Sequence, residues 1–191
     1  MITENDIITG SVPVREYYWC VKHAEACSIG CFSQIRGEDR NDSLSMDQLV
    51  GQVSTCFFSM WVGRTPEMGF RYYDMVRRRQ NENPMKGDGG DDIPPFRVDV
   101  KGSMRRNLNL PLLKHRLPVR PAEFHDDWIY VLALTRPPKV HLIGWAYTSD
   151  LPSEVDKDGP FKGAYTLRGF QLRPLNDEFK EIVKARGNSD E

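Results

Sequence analysis

Asp99 and Lys101 stand one residue apart in the run FRVDVKG (96 to 102). If that run is extended, both side chains leave one face while Val98 and Val100 leave the other. Seven residues before Asp99 lies Asp92, at the end of GDGGDD, where the glycines let a carboxylate approach the strand at little steric cost. Two carboxylates and an ammonium can then converge. Hard oxygens of this kind suit Mg²⁺ or Mn²⁺, ions that keep several waters and share coordination with a substrate phosphate. Such an ion stabilises charge on the phosphate and lowers the pKa of bound water, while the lysine holds the water or a phosphate oxygen. Phosphodiester hydrolysis is the reaction these parts fit. Asp88 and Asp91 are the substitutes one register away. The plainer reading of the same residues is a turn capped by Asp92 and an ion pair of Asp99 with Lys101 or Arg97 on a solvated strand.

Several elements must hold those groups in place. Val14 to about Phe32 has no proline, and Tyr17, Tyr18, Val21, Ala24 and Ile29 recur roughly at helical spacing, which predicts a first helix. Ser45 followed by Gln48 is a capping-box pattern that opens a second helix, Met46 to about Val62, after the turn-forming stretch 35 to 43. Glu67 to Gln80 reads as a third helix ending in Arg77, Arg78 and Arg79, cations suited to the negative end of a helix dipole. Residues 81 to 95 hold three prolines and three glycines and form a loop into the strand that carries Asp99. IYVLALT (129 to 135) and KVHLIGWAYT (139 to 148) are β-rich runs joined by Arg136, Pro137 and Pro138, the pattern of a hairpin. YTLRGFQLRP (165 to 174) adds an edge strand and Asp177 to Arg186 a closing helix. Helices first and strands second indicate an α+β chain, or a mixed α/β layer packing, of one domain over 1 to 191. Its helical part covers about 12 to 82, its turn and sheet about 86 to 175, and a polar tail follows.

The stretch GDGGDDIPPFRVDVKGS resembles the metal-binding core of the PD-(D/E)XK nuclease superfamily, in which an acidic residue precedes a strand bearing (D/E)-x-K. The resemblance spans about residues 44 to 148 and implies a restriction-endonuclease-like core, a mixed sheet flanked by helices. It also implies Asp92 and Asp99 as metal ligands with the Val100 carbonyl beside them, and Lys101 as the catalytic lysine. The superfamily usually draws a glutamate from an earlier helix. Here the matching stretch is LVGQVSTCFFSMWVG and the matching residue is Gln52, an auxiliary ligand or water-positioning group that adds no negative charge. The implied function is a Mg²⁺-dependent nuclease, an endonuclease of phage or bacterial type acting on DNA. The competing class is the same fold with a weakened site that binds DNA or a protein, and an enzyme acting on RNA or a nucleotide is a third.

Between Val100 and Arg120 the chain carries Lys101, Arg105, Arg106, Lys114, Arg116 and Arg120 with no acidic residue. Directly after the site, Arg105, Arg106, Lys114 and Arg116 are candidates for neutralising a phosphate backbone. The chain as a whole has a formal charge of -1, which excludes a uniformly basic nucleic-acid wrapper. Cys20, His23, Cys27 and Cys31 fall on one helical stripe, but about 16 Å of helix separates the first from the last, too far for one ion. Reduced thiols on a core face are expected. An EF-hand register starting at Asp88 puts Ile93 where glycine is required, and no GxxxxGK[ST] loop is present. His125, Asp126 and Asp127 read as a turn. No run approaches the roughly 18 apolar residues of a membrane span, so a soluble cytoplasmic protein is expected, in a host cytoplasm if virus-encoded. A homodimer would suit cutting of two strands.

Overall fold

The computed structural model describes residues 2 to 30, 41 to 64, 92 to 93 and 96 to 187. Its strands and helices are β1 (Ile8–Ser11), α1 (Val14–Gly30), α2 (Asn41–Trp61), β2 (Val98–Met104), β3 (Arg116–Val119), β4 (Ile129–Arg136), β5 (Lys139–Tyr147), β6 (Tyr165–Arg168) and α3 (Asp177–Gly187). The chain is α+β, with a mixed sheet flanked by helices. Four strands form the main sheet in the order β1-β5-β4-β2; β2 runs parallel to β4, and the other two pairings are antiparallel. β3 and β6 make a separate antiparallel pair.

Alternation along β4 divides the interior into two. Ile129, Val131 and Ala133 point to the side where Val53, Phe58, Val98, Val100 and Phe179 pack. Tyr130, Leu132 and Leu134 point to the other side, against Leu117 and Val119 of β3 and Leu167 of β6. Three layers result: helices, main sheet, small sheet. Both faces of β4 and β5 are covered, which explains why these strands read as nearly continuous apolar runs.

α2 lies directly on β2. A Cβ on Gly102 would stand 2.7 Å from Ser54 Oγ and 3.1 Å from the Val50 carbonyl oxygen. Only glycine allows that approach. Ser54 Oγ donates to the Val50 carbonyl (2.6 Å) and lies 2.7 Å from Thr135 Oγ1, so helix and sheet are also joined by a buried polar contact.

The first helix and the hairpin fall where the sequence places them, and α3 closes the chain one residue beyond expectation. α2 starts at Asn41, not Met46, five residues before the capping-box pattern would open it. Within the expected run 165 to 174 the strand is confined to β6, which pairs with β3, while Arg173 at its end makes a single antiparallel bridge to Trp145 of the main sheet. The helix expected at 67 to 80 lies outside the described residues, as do Arg77, Arg78 and Arg79.

Candidate active site

Among the described residues β2 is an edge strand, and its alternation fixes what each face carries. Val98, Val100 and Gly102 turn toward α2; Asp99 and Lys101 turn to the opposite face, where Asp99 sits across from Tyr130 and Lys101 across from Leu132. Lys101 Nζ lies 2.7 Å from Asp99 Oδ2 and 3.1 Å from Glu123 Oε2. Asp99 is buried, with 6% of its surface exposed, and the lysine side chain is mostly buried as well. Burial alone would lower the Lys101 pKa. The Asp99 and Glu123 carboxylates outweigh it and raise the value above that of an ordinary lysine, so the ammonium persists. Burial likewise pushes Glu123 up, but the Lys101 charge and the Arg120 backbone N–H hold it below the usual carboxylate range.

Glu123 is the residue that sequence reasoning missed. It closes a short 3-10 turn, Pro121–Glu123, and its Oε2 accepts from the Arg120 N–H at 3.0 Å. Tyr130 fixes this turn from below: its hydroxyl donates to the Glu123 carbonyl (2.8 Å) and accepts from the His125 N–H (3.0 Å). Thr148 Oγ1 donates to the His125 carbonyl at 2.6 Å, and the ring of His125 lies 4.4 Å from that of Trp128. The turn reading of 125 to 127 holds, with Asp127 at φ 62°. Nothing local in PAEFHDD marks Glu123, because its partner lies twenty-two residues earlier.

Asp92 occupies the open edge of β2. Its N–H donates to the Val98 carbonyl (2.9 Å), and its Oδ2 accepts from the Val100 N–H (2.7 Å). The carboxylate therefore lies one peptide unit from Asp99, as the glycine-rich approach requires. A strand residue turns its carbonyl to the same edge as its N–H, so the Val100 oxygen also lies on this side, away from β4. Asp88 and Asp91 lie outside the described residues.

Gln52 does not join them. It is buried on α2, which packs on the Val98, Val100 and Gly102 face, so the sheet stands between it and the Asp99 and Lys101 side chains. Among the described residues no hydrogen bond joins Gln52 to Asp92, Asp99 or Lys101. The Gln52 backbone carbonyl accepts from the Cys20 thiol across the α1–α2 contact (3.7 Å). Cys20 and Cys56 are free, buried thiols; contact with Cys56 and burial push the Cys20 pKa up. A core role for Cys20 follows. Cys31 and the Cys27 side chain lie outside the described residues.

The donors fit a hard dication only in part. Asp99 Oδ2 and Glu123 Oε2 converge on a single ammonium, and Asp92 and the Val100 carbonyl adjoin on the strand edge. Among the described residues no three His, Cys, Asp or Glu side chains gather into a ready metal cage. An ion with few protein ligands, completed by water and substrate phosphate, is the kind such a set could hold.

The basic stretch separates into different environments. Arg106 and Lys114 are exposed. Arg116 NH1 is bound to Asp156 Oδ2 at 2.7 Å, and Thr166 shares that oxygen. Arg105 NH1 lies 3.1 Å from His141 Nε2, its NH2 donates to the Leu108 carbonyl, and its Nε is buried without a partner. No helix among the described residues is long and apolar enough to cross a membrane. No protein-family model matches the chain, and no curated protein or solved structure matches it either.

Proposed function

We propose that this chain is a metal-dependent nuclease that hydrolyses DNA phosphodiester bonds, built on a restriction-endonuclease-like core with Mg²⁺ or Mn²⁺ as its cofactor. The observation that carries the reading is the Lys101 ammonium held between Asp99 and Glu123, one peptide unit from the Asp92 carboxylate. Charges partly withdrawn from solvent act more strongly on a developing negative charge than they would in water. When bound, the ion would supply Lewis-acid activation of water and neutralise charge on the phosphate. Asp99 and Glu123, with Asp92 and the Val100 carbonyl, are the groups to hold it. Lys101 then exchanges a carboxylate contact for a phosphate oxygen or the attacking water. Tyr130 acts through Glu123, keeping its turn in register with β2.

The test is incubation with supercoiled, linear and single-stranded DNA in Mg²⁺, Mn²⁺ or EDTA. Cutting should require metal and should fall by about 100-fold or more in Asp99→Asn and Lys101→Met, with Glu123→Gln also impaired. Cutting that survives EDTA, or that these variants leave intact, overturns the reading. A second reading is favoured by the position of Gln52 and the lack of a three-ligand cage among the described residues: a nuclease-fold protein that binds DNA without cutting it. Binding with no cleavage in any metal supports that one.

A further inference from the structure

The hairpin turn between β4 and β5 and the chain leaving β2 come together at one end of the main sheet. Met104 pairs with Thr135, the Arg105 N–H donates to the Thr135 carbonyl at 3.0 Å, and Arg136 pairs across the turn with Lys139. Ser11 of β1 lies opposite Lys139, and the Val12 N–H donates to the Pro138 carbonyl, which brings the start of α1 to the same end. The segments 8 to 16, 104 to 109 and 134 to 141 supply Arg15, Arg105, Arg106, Arg136 and Lys139 against one carboxylate, Glu16. Arg106, Arg136 and Lys139 are exposed, and no ion pair joins any of them to a described residue.

We propose that this sheet end is a binding surface for the phosphate backbone of DNA, with Arg106, Arg136 and Lys139 as its contacts. Three features support it. The cations are presented from rigid positions: Pro137 and Pro138 restrict the turn, and Arg105 is anchored to His141 Nε2 and the Leu108 carbonyl. Adjacent strands lie about 4.8 Å apart, so cations from β2, β4 and β5 cover roughly 10 Å. Duplex DNA carries one charge per about 1.7 Å of axis, and a surface of that width faces several of them. The positive field also acts on the neighbouring imidazoles: burial, then Arg105 and Lys139, push His141 down, and burial and Arg105 do the same to His115.

The surface deepens the nuclease reading and rests on it for the choice of DNA. Arg105 follows Lys101 by four residues, about 13 Å along an extended chain, so a backbone bound at the sheet end can continue toward the site. These contacts carry no base information and imply binding indifferent to sequence.

The experiment is fluorescence anisotropy of a labelled duplex of ~25 bp, titrated in EDTA at about 50 to 200 mM salt, with the full chain. The double variant Arg136→Gln/Lys139→Gln should bind about tenfold more weakly and should flatten the log–log salt dependence by about 2, one for each phosphate no longer neutralised. Both residues are exposed, so its circular dichroism and melting curve should match the parent. Unchanged affinity and salt slope in the double variant overturn the surface, as does a parent that binds phosphatidylserine vesicles but no DNA, or neither. The two readings fail separately: DNA held through this surface but never cut removes the nuclease alone, and metal-dependent cutting with normal binding by the double variant removes the surface alone.

Discussion

Lys101 holds two carboxylates together, and its loss should be costly in a specific way. Lys101→Met removes the ammonium that bridges the Asp99 and Glu123 carboxylates, and should lower unfolding stability by about 2–4 kcal/mol. Adding Asp99→Asn removes one of the two carboxylates that the ammonium bridges. The double variant should therefore be more stable than Lys101→Met alone, a positive coupling readable by urea denaturation of the four members of the cycle. Additive losses would mean that the ammonium and the carboxylate do not depend on each other. At this scale the sequence was informative where the partners are local. Asp99 and Lys101 share a face because a strand alternates, and Asp92 reaches them because the turn before the strand is short. Glu123 escaped because no spacing rule connects it to Lys101; a short 3-10 turn and the Tyr130 hydroxyl set the contact.

At the level of elements, the contact of α2 with β2 decides which residues can meet. Gly102→Ala should destabilise the fold by about 1–3 kcal/mol in thermal or denaturant unfolding, because the new methyl meets the Val50 backbone and a Ser54 hydroxyl already committed to two partners. A neutral substitution would show that helix and sheet can separate freely. The same contact sets α2 on the face of β2 opposite Asp99 and Lys101. The helix was legible from apolar spacing, but its start was not, and the sheet face on which a helix packs depends on the small residue beneath it. The hairpin of β4 and β5 was equally legible, since strands covered on both sides are apolar almost throughout. β3 was not: four residues, RLPV, with a proline among them inside a basic stretch, give too little alternation to detect. Without β3, the partner of β6 was not visible, and the expected edge strand could not be placed in a sheet.

For the molecule as a whole, His141 links strand, hairpin end and loop, and makes stability depend on pH. Its Nδ1 pairs with Thr9 Oγ1 of β1 at 2.9 Å, and its Nε2 faces the Arg105 guanidinium. Because that guanidinium can only donate, Nε2 must accept, and the folded ring is neutral. Burial, with Arg105 and Lys139, pushes its pKa from 6.5 down to about 4. The unfolded chain takes up this proton as pH falls through 6.5, whereas the folded chain resists until about 4. Its contribution is complete above the higher value and is lost as pH falls between the two, on the order of 3 kcal/mol in all. Denaturant midpoints should fall over that interval, and His141→Gln should flatten the fall. An identical profile in the variant would place the acid sensitivity elsewhere.

The position of Asp92 has a second consequence. An outermost strand exposes backbone donors and acceptors that another polypeptide can zip onto, and proteins guard such borders against self-association. By engaging the Val98 carbonyl and the Val100 amide, Asp92 stoppers two of those sockets on β2. The residue proposed for phosphate chemistry thus also works as a guard of the border, its backbone at Val98 and its carboxylate at Val100. Removing it outright would mix lost hydrolysis with clumping, whereas an asparagine retains the acceptor for Val100 and separates the two.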